Sequence, residues 1–174
     1  MKADPELVKK YRAELELDPK KLTIGVSWIS AALKIGPHKS VTLEELLPIL
    51  KLDANFVNLQ YGSEKKAVDQ FNATHQTQIL TSSVNMYMDM DGLAALCEIC
   101  DVIVAISSST VHLAGAMGRP VLLMDANKLW YWGNKDGDRS LWYPSVQIFP
   151  RDNMISPWGN VIELVKLELE GRLK

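Results

Sequence analysis

Residues 101–124 read DVIVAISSSTVHLAGAMGRPVLLM, and their order decides the fold. The run 101–106 is apolar on both of its alternating faces after Asp101, as expected of a strand buried on both sides of a sheet. Four hydroxyl residues, Ser107, Ser108, Ser109 and Thr110, follow at once. A helix is expected from there to Met117, and Gly118 stands where a helix can end in the left-handed conformation. Residues 120–124 (PVLLM) form the next apolar strand. Strand, helix and strand in so short a space read as one unit of a parallel sheet.

The same alternation extends in both directions. Upstream, 22–28 (LTIGVSW) and 55–61 (NFVNLQY) read as strands, with a weaker one at 77–80. Downstream, 146–149 is the sixth. Asp4 before Pro5 starts a leading helix over 4–18, with Leu7, Tyr11 and Leu15 on one stripe. Thr42 and Glu45 have capping-box spacing and open a short helix through Leu50. Gly62-Ser63 precedes a polar helix over about 64–74, and Asp91-Gly92 a small-residue helix over 93–100. Residues 160–169 close the chain as a helix. The expected class is α/β: a doubly wound, mostly parallel six-stranded Rossmann-like sheet with helices on both faces. Residues 1–174 are expected to be a single domain, with its core in 22–169.

Composition narrows the function. Lys plus Arg number 19 and Asp plus Glu 21, a net charge of -2 that gives nucleic acid or anionic lipid no electrostatic hold. No run of about 18 apolar residues exists to span a bilayer, and residues 1–10 lack the apolar core of a secretory signal. Cys97 and Cys100 are the only cysteines, and a cytoplasmic setting is expected. They lie inside an expected helix, where burial in the core fits better than a redox or zinc pair. No metal site is expected.

In the common strand order 3-2-1-4-5-6, the order reverses between the first and fourth strands. Ligands sit beyond the carboxyl ends of those two strands. The segments there are 28–40 and 107–112. Free N–H groups and the dipole of a helix start favour an anion, and Ser107, Ser108, Ser109 and Thr110 add hydroxyl donors. His112 shares a helical face with Ser108 and Ser109. The competing reading is that Ser107 is only an N-cap and the other hydroxyls solvate a loop. Gly115, with Ala114 and Ala116, would let this helix approach the sheet closely. Across the crevice, Lys34 and Lys39, with Ser40, would complete a diphosphate clamp as point charges; the competing reading is a solvated loop. Trp130, Tyr131, Trp132, Trp142 and Tyr143 crowd the long connection after the fifth strand. They could stack on a nucleobase, with Asp125 or Asn127 near a ribose hydroxyl, or simply fold the loop onto the sheet. The GxGxxG, GxxxxGK[ST] and GxSxG fingerprints are absent, and no paired carboxylates stand at strand ends, so no catalytic residue is nominated.

Several blocks in this order and spacing resemble a known family. They are VSW at 26–28, KSVTLEELLPIL at 39–50, FVNLQYGSE at 56–64, AISSSTVHLAGAMGRPVLLM at 105–124 and LWYWGNKDGDRSLWYPSVQIF at 129–149. Together they resemble the C-terminal half of the tetratricopeptide-linked glycosyltransferases, which are similar to the heptosyltransferase superfamily and share its GT-B fold. The resemblance implies a domain binding a nucleotide-diphosphate-sugar as donor substrate, with no separate cofactor. It sets Ser108, Ser109 and His112 on the phosphate side, Gln60 and Gly62 on the turn after the second strand, and Trp130 and Trp132 in the aromatic stretch. Two features depart from it: Ser107 stands where many relatives carry aspartate, and 29–32 reads ISAA where many have arginine or glycine. The resemblance also implies a partner, an N-terminal GT-B domain or a tetratricopeptide region, that this chain lacks. The expected function is therefore donor binding in a transferase completed by that partner. The alternative is a non-enzymatic interaction domain derived from such a half. Self-association through the interdomain face is a further expectation.

Overall fold

A computed structural model describes residues 1–62, 65–126, 130–133 and 138–173, with Trp130 described by its backbone alone. The strands are β1 (Thr23–Ser27), β2 (Asn55–Asn58), β3 (Ile79–Leu80), β4 (Val102–Ile106), β5 (Val121–Asp125) and β6 (Val146–Pro150). They form one sheet in the order β3-β2-β1-β4-β5-β6, and every neighbouring pair is parallel. Class and strand order are those expected from the sequence.

The alternation within β4 shows why one apolar strand builds two cores. Val102, Val104 and Ile106 pack with Ile24, Val26, Phe56, Leu122 and Met124 on one face. Ile103 and Ala105 pack with Val57, Leu59, Val121 and Leu123 on the other. The first face is covered by α3 (Leu47–Leu50), α4 (Lys65–His75) and α7 (Gly159–Arg172), through Ile49, Val68, Phe71, Val161 and Val165. The second is covered by α1 (Pro5–Leu15), α5 (Met90–Ile99) and α6 (Ser109–Ala116), through Tyr11, Leu15, Leu93, Leu96 and Val111. Burial of both faces is what lets a parallel sheet with no polar side persist.

Local chemistry moves several boundaries. The Asp4 side chain accepts the Glu6 N–H at 2.8 Å, and α1 begins at Pro5 as the cap requires. Helix α5 starts three residues before the expected 93, because Asp89 caps it by accepting the Gly92 N–H at 2.7 Å. Thr42 and Glu45 do form a reciprocal capping box, with Glu45 Oε2 accepting the Thr42 N–H at 2.8 Å and Thr42 Oγ1 accepting the Glu45 N–H at 3.1 Å. It opens a turn, however, and only Leu47–Leu50 is helical. A further short helix, α2 (Gly36–Lys39), interrupts the exit from β1. Cys97 and Cys100 are both buried and free. Burial pushes the Cys97 thiol up to about 12 and holds the Cys100 thiol well above its ordinary value, so both are core side chains rather than thiolates.

Gly115 corrects one expectation. A Cβ there would stand 2.6 Å from Cγ of Tyr143, so the glycine makes room for the β5–β6 connection and not for the sheet. Gly115→Leu is expected to cost about 1–3 kcal/mol by overpacking. Urea unfolding of the single variants and of the Gly115→Leu/Tyr143→Ala pair checks this: the double variant recovers part of the loss, and strict additivity would show that the clash lies elsewhere.

Candidate functional site

The order reversal falls between β1 and β4, which pair from Ile24 with Val102 to Ser27 with Ala105. Ser107 leaves β4 buried, with its Oγ 2.7 Å from the Tyr131 phenol and accepting Trp132 Nε1–H at 3.2 Å. The N-cap is Ser108, one residue beyond the expected cap; its backbone is extended and its hydroxyl caps nothing. Ser108 Oγ and Thr110 Oγ1 are both buried without a hydrogen-bond partner. Ser109 is exposed.

The opposite wall comes from the β1 exit. Lys39 ends α2, is only 7% exposed, and points its Nζ to 3.4 Å from the Tyr131 hydroxyl. Lys39, Tyr131 and Ser107 thus link the two corners that flank the order reversal. Lys34 is exposed, and among the described residues it has no hydrogen-bond or ion-pair partner, so Lys39 alone reaches across. Ser40 closes the loop on itself: its Oγ donates to the Gly36 carbonyl at 2.8 Å and accepts the Ser30 N–H at 2.9 Å.

Gln60 holds the same loop from β2. Its Oε1 accepts the N–H groups of Trp28 and Ile29 at 2.8 and 2.7 Å, and its Nε2 donates to the carbonyls of Ile29 and Tyr61 at 3.1 and 2.9 Å. The side chain is therefore engaged in positioning the β1 exit. Gly62 follows with φ +90°, a conformation that favours glycine. Beside it, beyond the ends of β2 and β3, lies a cavity of about 520 Å³ lined by Asn58, Gln60, Gly62, Thr81, Asn85 and Tyr87.

The structure locates several of the residues expected on the nucleoside side. Trp132 is 1% exposed and stacks on His112 at 4.5 Å and 18°, so its ring supports α6 and offers no face to a base. Asp125 is the last residue of β5 and fully buried, in register with Pro150. Trp142 is exposed. The Trp130 side chain and Asn127 lie outside the described residues.

His112 places Nδ1 3.3 Å from the Tyr143 hydroxyl. Burial, and then the Lys39 charge, lower its pKa below the ordinary 6.5. The unfolded chain therefore takes up this proton first as pH falls. Stability from this site is complete above about 6.5 and declines as pH drops below it. Unfolding free energies at pH 7.5 and 5.5 are expected to differ less in His112→Gln than in the parent; equal differences would remove His112 from the pH response.

Sequence reasoning missed Arg151. It follows β6, donates from Nη1 to the Ser156 carbonyl at 2.8 Å and from Nη2 to the Met154 carbonyl at 2.7 Å, and also donates to the His38 carbonyl. Its guanidinium lies 4.0 Å from the Trp158 ring. The arginine therefore fastens α2, and Lys39 with it, to the end of β6. Its only signal in the sequence is a lone cation directly after an apolar strand. Among the described residues, no group of three His, Cys, Asp or Glu side chains could hold a metal, and no helix is long and apolar enough to cross a membrane.

With its all-parallel six-stranded Rossmann-like sheet and helices on both faces, the chain matches half of a GT-B glycosyltransferase in fold. The ADP-heptose LPS heptosyltransferase II of E. coli matches it with a TM-score of 0.66 and 15% identity, over 99% of this chain and 54% of that one. The family 9 glycosyltransferase of Veillonella parvula matches with a TM-score of 0.62 and 14% identity, over 87% of this chain and 42% of that one. Anabaena HepE, solved in complex with UDP and glucose, matches with a TM-score of 0.57 and 13% identity, over 98% of this chain and 44% of that one. In sequence, Protein FlbA of Caulobacter vibrioides is 28% identical over 152 residues, which are 86% of this chain and 25% of that protein. The chain therefore spans about half of these solved neighbours and a quarter of the curated relative. No protein-family model matches it.

Proposed function

We propose that this domain binds the diphosphate of a nucleotide-sugar and serves glycosyl transfer once a second Rossmann domain supplies the acceptor side. The observation that carries the reading is the corner itself. A buried ammonium, Lys39, faces the start of α6 across Tyr131, and Ser108 and Thr110 hold buried hydroxyls there without partners. Buried polar groups of this kind are paired in most proteins, so a corner that leaves two unmade suits an anion that can accept from them. The helix dipole and Lys39 would stabilise the leaving diphosphate as its negative charge grows. The cavity beside Gly62, at the same end of the sheet, has room for the nucleoside. The completing partner is proposed to be an N-terminal GT-B domain or a tetratricopeptide region.

UDP, GDP, ADP and CMP titrated separately test the reading. One of them is expected to raise the melting temperature and shift the amide signals of 107–112; at a hundredfold excess over Kd the added stability is about 2.7 kcal/mol. Silence from all four overturns it. A second reading, a domain kept for interaction alone, draws on the exposed apolar side chains Ile29, Leu33 and Ile35 of the β1 exit. It would be favoured if the chain bound a partner domain tightly while ignoring all four nucleotides.

A further inference from the structure

Lys39 is nine-tenths buried, and among the described residues it has no carboxylate partner. A buried ammonium calls for an anion or for several acceptors. Its hydrogen-bond acceptor here is the Tyr131 oxygen, at 3.4 Å. That same oxygen lies 2.7 Å from Ser107 Oγ. The indole nitrogen of Trp132, a donor only, points at Ser107 Oγ from 3.2 Å. Ser107 Oγ accepts that proton, and its own hydroxyl proton can still turn toward an oxygen standing where the Tyr131 phenol stands. An ammonium and a hydroxyl able to donate thus both lie within hydrogen-bond distance of a single oxygen between the β1 exit and the α6 start. Convergence of that kind is how proteins hold a phosphate oxygen.

We infer that the Tyr131 phenol is a self-ligand: its oxygen stands in the seat of a phosphate oxygen, and the diphosphate must displace it to bind. This rests on the diphosphate reading above and adds a residue that competes with the ligand. Tyr131 is half-buried and reaches the corner from the β5–β6 connection with its ring beside Trp132 and His112, whereas Ser107 directly follows β4 and Lys39 ends the Arg151-fastened α2, so displacement swings the phenol and leaves the two donors in place. Ser107 keeps its Trp132 bond when the phenol leaves, so displacement leaves the serine partnered.

Tyr131→Phe removes the competing oxygen and keeps the ring. Calorimetric titration with inorganic pyrophosphate, and with the four nucleotides, is expected to show about tenfold tighter binding than in the parent. Looser packing alone would weaken binding, so a gain distinguishes displacement from a structural role. Near-ultraviolet circular dichroism confirms that the variant is folded, and Tyr131→Leu is a second route should the phenylalanine variant fail to fold. If the parent binds a nucleotide and Tyr131→Phe binds it equally or more weakly, the self-ligand idea falls and the diphosphate reading stands. If pyrophosphate binds the variant more tightly while no nucleotide binds either protein, the self-ligand stands and the nucleotide reading falls. If neither protein binds pyrophosphate or any nucleotide, both fall.

Discussion

Arg151→Met lowers the stability of this domain by about 2–4 kcal/mol. Hydrogen bonds from a charged donor each contribute about 1.5–3 kcal/mol, less where water can replace them. Arg151 donates to three carbonyls, those of Ser156, Met154 and His38, and its guanidinium also covers Trp158. Methionine restores the packing volume and none of the donors. The Ser156 and His38 carbonyls lie on partly or fully exposed residues, so water recovers some of the loss, and the lower part of the range is the better expectation. Arg151→Lys keeps the charge but not the planar fork, and is expected to recover less than half. Urea unfolding followed by tryptophan fluorescence measures both variants. A loss below about 0.5 kcal/mol in Arg151→Met would mean that the three carbonyls are served equally well by solvent. The effect does not end with stability: the His38 carbonyl adjoins Lys39, so the loosened α2 is expected to weaken anion binding as well.

Much of this fold is legible because buried strands and their helix starts depend on local chemistry. In 101–106 the apolar run needs both faces covered, and 107–118 supplies a helix ending at a glycine with φ +73°. Those two facts already imply a parallel unit, and the Thr42–Glu45 box and the Asp4 cap form as their spacing predicts. The boundary shifts are local, but the departures at the site are long-range. That Asp125 lies inside β5 depends on Pro150, its partner in the adjacent strand, 25 positions away. That Gly115 faces Tyr143 rather than the sheet depends on the path of the β5–β6 connection. Trp132 looks like a stacking platform until His112, brought beside it by the fold, covers its face. Gln60 looks like a ligand group until the β1 exit takes its amide. The candidate site was legible as a pair of segments. Which lysine crosses between them was not, because α2 is set by an arginine more than a hundred residues downstream.

Lys39→Met separates binding from folding, because the two are expected to move in opposite directions. Folding removes the Lys39 ammonium from water, and in return it gains one long bond to a neutral phenol. Methionine has a similar length, carries no charge to desolvate and suits a buried position. Stability is therefore expected to hold or to rise by up to about 1 kcal/mol. The anion loses its facing charge, and a hydrogen bond to a charged group contributes about 2 kcal/mol, so affinity for pyrophosphate or for the preferred nucleotide should fall about thirtyfold. The salt dependence of binding should flatten with it, since a screened charge has been removed. Calorimetry at two ionic strengths and a melting curve of the same sample measure all three quantities. A variant that melts lower and binds as before would make Lys39 a packing residue. The corner would then be held by Tyr131 and Ser107 for structural reasons, and the diphosphate would have to be held without the Lys39 charge.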